Sequence, residues 1–214
     1  MALLVGAVTY YAQASDLGWS AVEQVNQFSR QVFYARYINW AVTFPALVLS
    51  LGLLSGISWT TIVLNIFCAW FWVLSYLAAA YTASDYKWGF FGFGTFAYII
   101  LVMSTINESR ESAEHLGIGR DYLILAGWVN LLWLLYPVAF GLSDGGNIIG
   151  VTESFIFFGV LDALLLPVVS VGFLILSRKW DFEKLQLDFS EYRDNRGRKP
   201  LRENKGDTAT SDPS

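Results

Sequence analysis

Very few ionisable side chains sit inside the long apolar stretches of this sequence. Arg36 and Asp162 are the clear cases, and Glu153 lies near the end of one stretch. A charge at bilayer depth costs roughly 2.5–3.5 kcal/mol even on gentle insertion scales, so such groups turn inward and pair. Arg36 and Asp162 are therefore expected to meet inside a helical bundle, with Asn39 and Tyr136 beside them as hydrogen-bond partners. Asn39 lies about one turn after Arg36 on the same face, next to Trp40. Such a pair admits two roles: a structural buried ion pair, or a working ion gate. Position 166, one turn after Asp162 on the same face, is leucine, a side chain with no reactive group.

The other chemistry-bearing residues are sparse. His115, the single histidine, lies close to Glu111 and Glu114 in a polar stretch. No partner cluster accompanies them, so this reads as a solvated charged loop and no metal site is expected. Cys68 is the lone cysteine, inside an apolar run, and reads as a buried thiol. Asn107-Glu108-Ser109 matches a glycosylation sequon. No phosphate-binding loop, zinc-type spacing or nucleophile constellation is present, so no enzymatic activity is expected. The net charge of −4 gives no reason to expect nucleic acid as a partner.

The elements that carry these residues follow from composition. The chain is 55% hydrophobic and 15% charged, against about a quarter charged in a soluble domain. Its nine tryptophans suit bilayer interfaces. Five stretches, 33–54, 58–82, 88–106, 121–142 and 151–177, are long enough to span a membrane as helices. They are continuously apolar, which favours helices over an alternating barrel pattern. Residues 1 to about 15 form a shorter run that reads as the second half of a helix. Of fourteen Lys and Arg, nine follow Ser177, and Arg110 and Arg120 flank the polar stretch 107–120. Only Arg30 and Lys87 lie on the other side, so the tail and stretch 107–120 are predicted cytosolic. The chain divides into a bundle, 1–178, and a largely disordered cytosolic tail, 179–214. Trp180 and Phe182 would form a juxtamembrane turn near anionic lipid, or simply part of a solvated tail.

Three segments carry a family resemblance. Phe33-Tyr34-Ala35-Arg36-Tyr37-Ile38-Asn39-Trp40-Ala41-Val42-Thr43-Phe44-Pro45 resembles the third helix of microbial rhodopsins. Trp133-Leu134-Leu135-Tyr136-Pro137 resembles their sixth, and Leu161-Asp162 with Gly172-Phe173 their seventh. Asp144-Gly145-Gly146 resembles their turn between the sixth and seventh helices. The resemblance implies an all-α membrane protein of the seven-transmembrane microbial-rhodopsin type. With about five full spans and a partial one, it reads as truncated at the N-terminus.

The departures from the family pattern bear on function. The family's retinal-binding lysine corresponds to Leu166, and the remaining lysines lie at ends or in loops. The proton acceptor and donor of its pumps correspond to Asn39 and Ser50, an amide and a hydroxyl that do not titrate near neutral pH. The former retinal pocket would be walled by Trp40, Thr43, Trp133, Tyr136, Pro137 and Leu166. Pro45, Pro137 and Pro167 are expected kinks. The combination resembles the fungal opsin-related branch that lost the lysine, which implies a non-photoactive plasma-membrane protein with no retinal. Roles in stress response and in modulating the plasma-membrane proton ATPase have been proposed for that branch. The expected partners are thus membrane lipid and a protein such as that ATPase. Two alternatives stay open: an ion channel or transport path through Arg36, Asn39 and Asp162, or a carrier of a non-covalent apolar ligand in the former retinal pocket. A packed interior favours contacts with lipid or protein, a continuous polar path favours transport, and an apolar cavity favours a ligand.

Overall fold

The computed structural model describes residues 1–24 and 27–180. Among the described residues seven α-helices and one hairpin appear in chain order: α1 (Ala2–Ala14), β1 (Ser20–Gln24), β2 (Gln27–Val32), α2 (Tyr34–Ser55), α3 (Trp59–Tyr81), α4 (Lys87–Met103), α5 (Ser109–His115), α6 (Gly119–Phe140) and α7 (Val151–Ser177). A π-helical turn, Ser104–Glu108, joins α4 to α5, and a second, Gly141–Gly145, extends α6. Among the described residues five helical spans are long and apolar enough to cross a membrane: Tyr34–Ser55, Trp59–Tyr81, Lys87–His115, Gly119–Gly145 and Val151–Ser177. At about 1.5 Å per residue the 13 residues of α1 reach about 20 Å, short of the roughly 30 Å hydrocarbon core.

The spans are apolar on their outer faces as well as inside. Leu64, Phe67, Phe71 and Leu74 on α3, Phe93 and Phe96 on α4, and Val171, Leu174 and Ile175 on α7 are all exposed. Faces of this kind need hydrocarbon around them. The protein is an integral membrane protein. Inside, close helix approach relies on small residues. A Cβ added at Gly94 would sit 2.8 Å from the Tyr76 ring, so glycine there lets α4 lie against α3. Gly56 ends α2 in a left-handed conformation, φ 70°, which glycine adopts without strain. Ser58 then caps α3, its hydroxyl accepting from the Thr61 amide at 3.2 Å.

The segment before α2, on which the sequence carried no expectation, folds into an antiparallel hairpin in which Val22 faces Arg30 and Ser20 faces Val32. Val22, Arg30 and Val32 are buried while Ala21 and Glu23 are exposed, the two-residue alternation of a sheet with one covered face. The polar stretch 107–120 is not a loop. Thr105, Ser109 and Ala113 recur every four residues and are all buried, so the helix runs on to His115 with its acidic face outward. Only 116–118 connect it to α6. Glu153 is exposed in the first turn of α7, where the helix dipole favours an acid. Trp180 turns back onto the bundle, donating to Asp121 at 2.9 Å and meeting Phe173 edge-on at 5.2 Å. The expected tail, with Phe182, lies outside the described residues from position 181 on.

Candidate functional site: two buried carboxylates

Asp144 and Asp162 occupy two levels of the interior. Asp144 belongs to the π-helical turn after α6 and is 2% exposed. Its Oδ1 accepts from Arg30 Nε at 3.3 Å, and its Oδ2 from Arg36 Nη1 at 3.3 Å and Tyr37 Oη at 2.9 Å. The hairpin supplies Arg30, the first turn of α2 supplies Arg36 and Tyr37, and the π-helical turn after α6 supplies the acid. Arg30 Nη1 donates further to Asn147 Oδ1 and to the Ile149 carbonyl at 2.8 Å. The Arg36 guanidinium lies over the Phe158 ring of α7 at 4.3 Å, a cation–π contact. Asp144 therefore ties the hairpin to two spans.

Asp162, on α7, is cradled by donors from three other helices. Its Oδ1 accepts from Tyr136 Oη at 2.5 Å and Trp40 Nε1 at 3.0 Å, and its Oδ2 from Tyr10 Oη at 2.6 Å and Asn39 Nδ2 at 3.3 Å. A carboxylate has about four lone-pair sites, and four donors meet them. Two Arg and two Asp, all nearly fully buried, occupy these two levels.

The expected Arg36–Asp162 ion pair is not formed: the ion-pair partner of Arg36 is Asp144. Depth is the reason. Asn39 and Trp40, which do reach Asp162, stand three and four residues beyond Arg36, about 4.5–6 Å farther along the helix. Arg36 is level with the end of α6, where Asp144 waits. Asn39 and Tyr136 are beside Asp162 as hydrogen-bond donors. Arg30, Asp144, Tyr10 and Tyr37 escaped the sequence reading. Arg30 was assigned to the outer side and Asp144 to an Asp-Gly-Gly turn. The period-two alternation around Arg30 was the available signal that one face of the segment is covered.

The former pocket residues form one aromatic mass. Phe44 stands at its centre, with ring centroids 6.0 Å from Trp40, 5.1 Å from Trp72, 5.5 Å from Trp133 and 5.1 Å from Tyr136. Thr43 is buried beside them, Pro137 lies within α6 directly after Tyr136, and Leu166 is 6% exposed. Ser50 faces outward and bonds to its own helix at the Ala46 carbonyl, 2.8 Å away. A separate polar group, Thr105, Asn130 and Tyr122, lies toward the opposite end. Between the two levels the centre is aromatic. Leu166, Asn39 and Asp162 also border a cavity of about 390 Å³ between α1, α2 and α7.

The chain is similar to known proteins in sequence and fold. The family described as "Bacteriorhodopsin-like protein" matches residues 2–176. "Opsin-like protein carO" of Fusarium fujikuroi is 36% identical over 196 residues, covering 86% of this chain and 63% of carO. The "30 kDa heat shock protein" of Saccharomyces cerevisiae is 30% identical over 203 residues, covering 83% of this chain and 60% of that protein. The chain thus spans about three fifths of each of these curated relatives. Among solved structures, a light-driven proton pump from Leptosphaeria maculans superposes with a TM-score of 0.80 at 31% identity, covering 84% of this chain and 80% of the pump.

Proposed function

We propose that this chain, which belongs to the bacteriorhodopsin-like family, works without light, as an opsin-related protein of the plasma membrane with its tail in the cytosol. The observation that carries this reading is the interior around position 166. Covalent retinal needs an amine there, and the side chain is leucine. Lys179 is 13 residues further on, about 20 Å along the helix axis, and Lys87 starts α4 at the hairpin end. The centre of the bundle is filled by Phe44 and Trp72 against Trp40 and Trp133. The residues present do not fit a retinal Schiff base.

Proton transfer has no support at the other positions either. Asn39 donates to Asp162 as an amide, and Ser50 faces away from the interior. A transport path would need polar groups joining the Asp162 level to the Asn130 level, and aromatic rings stand between. That leaves contacts with lipid and with other proteins of the membrane as the working surface. The heat-shock name of one relative supports a role in stress. The proton ATPase of the plasma membrane is the partner this reading puts forward. The test is made in cells expressing the chain and supplied with all-trans retinal. Illumination should leave the pH of an unbuffered suspension unchanged, while deletion of the chain should alter proton-ATPase activity under stress. Light-driven acidification, or ATPase activity indifferent to the chain, would refute the reading.

A further inference from the structure

A groove lies on the outer seam between α2 and α3, at the hairpin end of the bundle. Tyr34 of α2 and Leu74, Leu77, Ala78 and Tyr81 of α3 line it. Its volume, about 370 Å³, falls in the usual range of small-molecule sites, about 300–1,000 Å³. Leu74 and Tyr81 are seven residues apart, so the groove runs about 10 Å along α3, from the end of the span toward its middle. Tyr34, Leu74 and Tyr81 are exposed on the apolar outer face. α1 packs against α2 and α7 and lines no part of the groove. Asn39, the α2 residue that faces α1 at Gly6, is five residues from Tyr34, about 140° around the helix. The groove therefore opens to the bilayer on a side of α2 away from α1.

Walls and rim ask for different chemistry. No charged side chain lines the groove, so an ionic headgroup finds no counter-charge among its walls. At the rim the Ser20 hydroxyl of the hairpin and the Tyr81 hydroxyl are 2.6 Å apart. One of their two hydrogens makes that bond. The other stays free to donate, and lone pairs on the oxygens stay free to accept. A hydroxyl, itself donor and acceptor, is the neutral group that answers both. The groove is open along its length, and a rigid apolar body loses less freedom on lying in it than a flexible acyl chain does. Leu77, Tyr81 and Lys87 also stand at the Leu-x3-Tyr-x5-Lys spacing of a short pattern linked to sterol contact. That pattern is a weak signal alone; here two of its three residues line one groove.

We propose that this groove binds a membrane sterol, its hydroxyl exchanging hydrogen bonds with Ser20 and Tyr81 and its ring system lying along Tyr34, Leu74, Leu77 and Ala78. The proposal goes beyond the preceding reading and is tested without retinal, light or the ATPase, so each can fail alone. The full chain is placed in phosphatidylcholine vesicles with a diazirine-bearing sterol, and in parallel with the methyl ether of that sterol. After photolysis, peptides from the start of α2 and the end of α3 should carry the sterol about fivefold more than the ether, the factor one net hydrogen bond is worth. Unlabelled sterol should compete. Removing both rim hydroxyls, with Ser20→Ala and Tyr81→Phe, should bring the sterol down to the ether level. Ala78→Phe, at a half-buried position in the groove, should block labelling while leaving thermal unfolding near that of the unaltered protein. Equal labelling by sterol and ether, or labelling as strong on the outer face of α4 at Phe93 and Phe96, would overturn the proposal. So would unchanged labelling in Ala78→Phe. A photoreactive phosphatidylcholine that marks the α2 and α3 peptides as selectively would overturn it in favour of an ordinary acyl chain.

Discussion

Removing the Asp144 carboxylate should unsettle this protein more than its position at the end of a helix suggests. Asp144→Ala leaves Arg30 and Arg36 without their shared counter-ion, both within 3.3 Å of it and all three nearly fully buried. At an effective dielectric of about 20, each contact is worth about 5 kcal/mol of Coulomb attraction before desolvation is subtracted. The net cost of orphaning a buried charge runs about 3–5 kcal/mol. The loss of the Tyr37 hydrogen bond adds to it. The assay is unfolding in lipid nanodiscs, arranged as two double-mutant cycles. The Arg36/Asp144 cycle, with Arg36→Met and Asp144→Ala, should give a coupling energy of about 1–3 kcal/mol. The Arg36/Asp162 cycle should give less than about 0.5 kcal/mol. A larger coupling of Arg36 to Asp162 than to Asp144 would refute the depth argument, because it would return Arg36 to the pairing expected from sequence.

Other perturbations have equally definite outcomes. Tyr10→Phe and Tyr136→Phe each remove a donor to the buried Asp162 carboxylate and should each cost about 1.5–3 kcal/mol in the same unfolding assay; near-neutral effects would mean that Asp162 is satisfied otherwise. Phe44→Ala should cost about 3–5 kcal/mol, since four aromatic neighbours lose their common partner and the rigid bundle cannot collapse onto the gap. A chain with Cys68→Ala and one new cysteine, at exposed Tyr86 or at exposed His115, reports orientation in intact cells. An impermeant thiol reagent should label the first and spare the second; the reverse pattern would invert the proposed topology.

The spans were legible because continuous hydropathy over about 20 residues has few competing explanations. The stretch 151–177 and α7 coincide, and 33–54 and α2 differ by one residue at each end. The polar additions were not legible in the same way. A helix that leaves the apolar layer can continue on a pattern of small buried residues, Thr105, Ser109 and Ala113, which hydropathy does not register. The hairpin hid because its inward face includes a charged residue, Arg30, beside Val22 and Val32, so no simple apolar alternation marks it. Within the site, the residue types around Asp162 were readable from helical spacing, as Asn39 and Trp40 show. The partner of Arg36 was not, because depth along separate helices is set by where each enters the bundle, and sequence spacing within one helix carries no such information. Counting buried charges pointed to one Arg and one Asp, whereas the fold buries two of each.

The pigment-free function proposed for this opsin-like bundle rests on Leu166 and the aromatic interior. Its most direct test is the absorption spectrum of the purified chain after incubation with all-trans retinal, beside a light-driven pump of the same fold prepared identically. The pump should show a visible band that hydroxylamine bleaches, and this chain should show only the near-ultraviolet absorption of free retinal. A hydroxylamine-sensitive visible band from this chain would contradict the account.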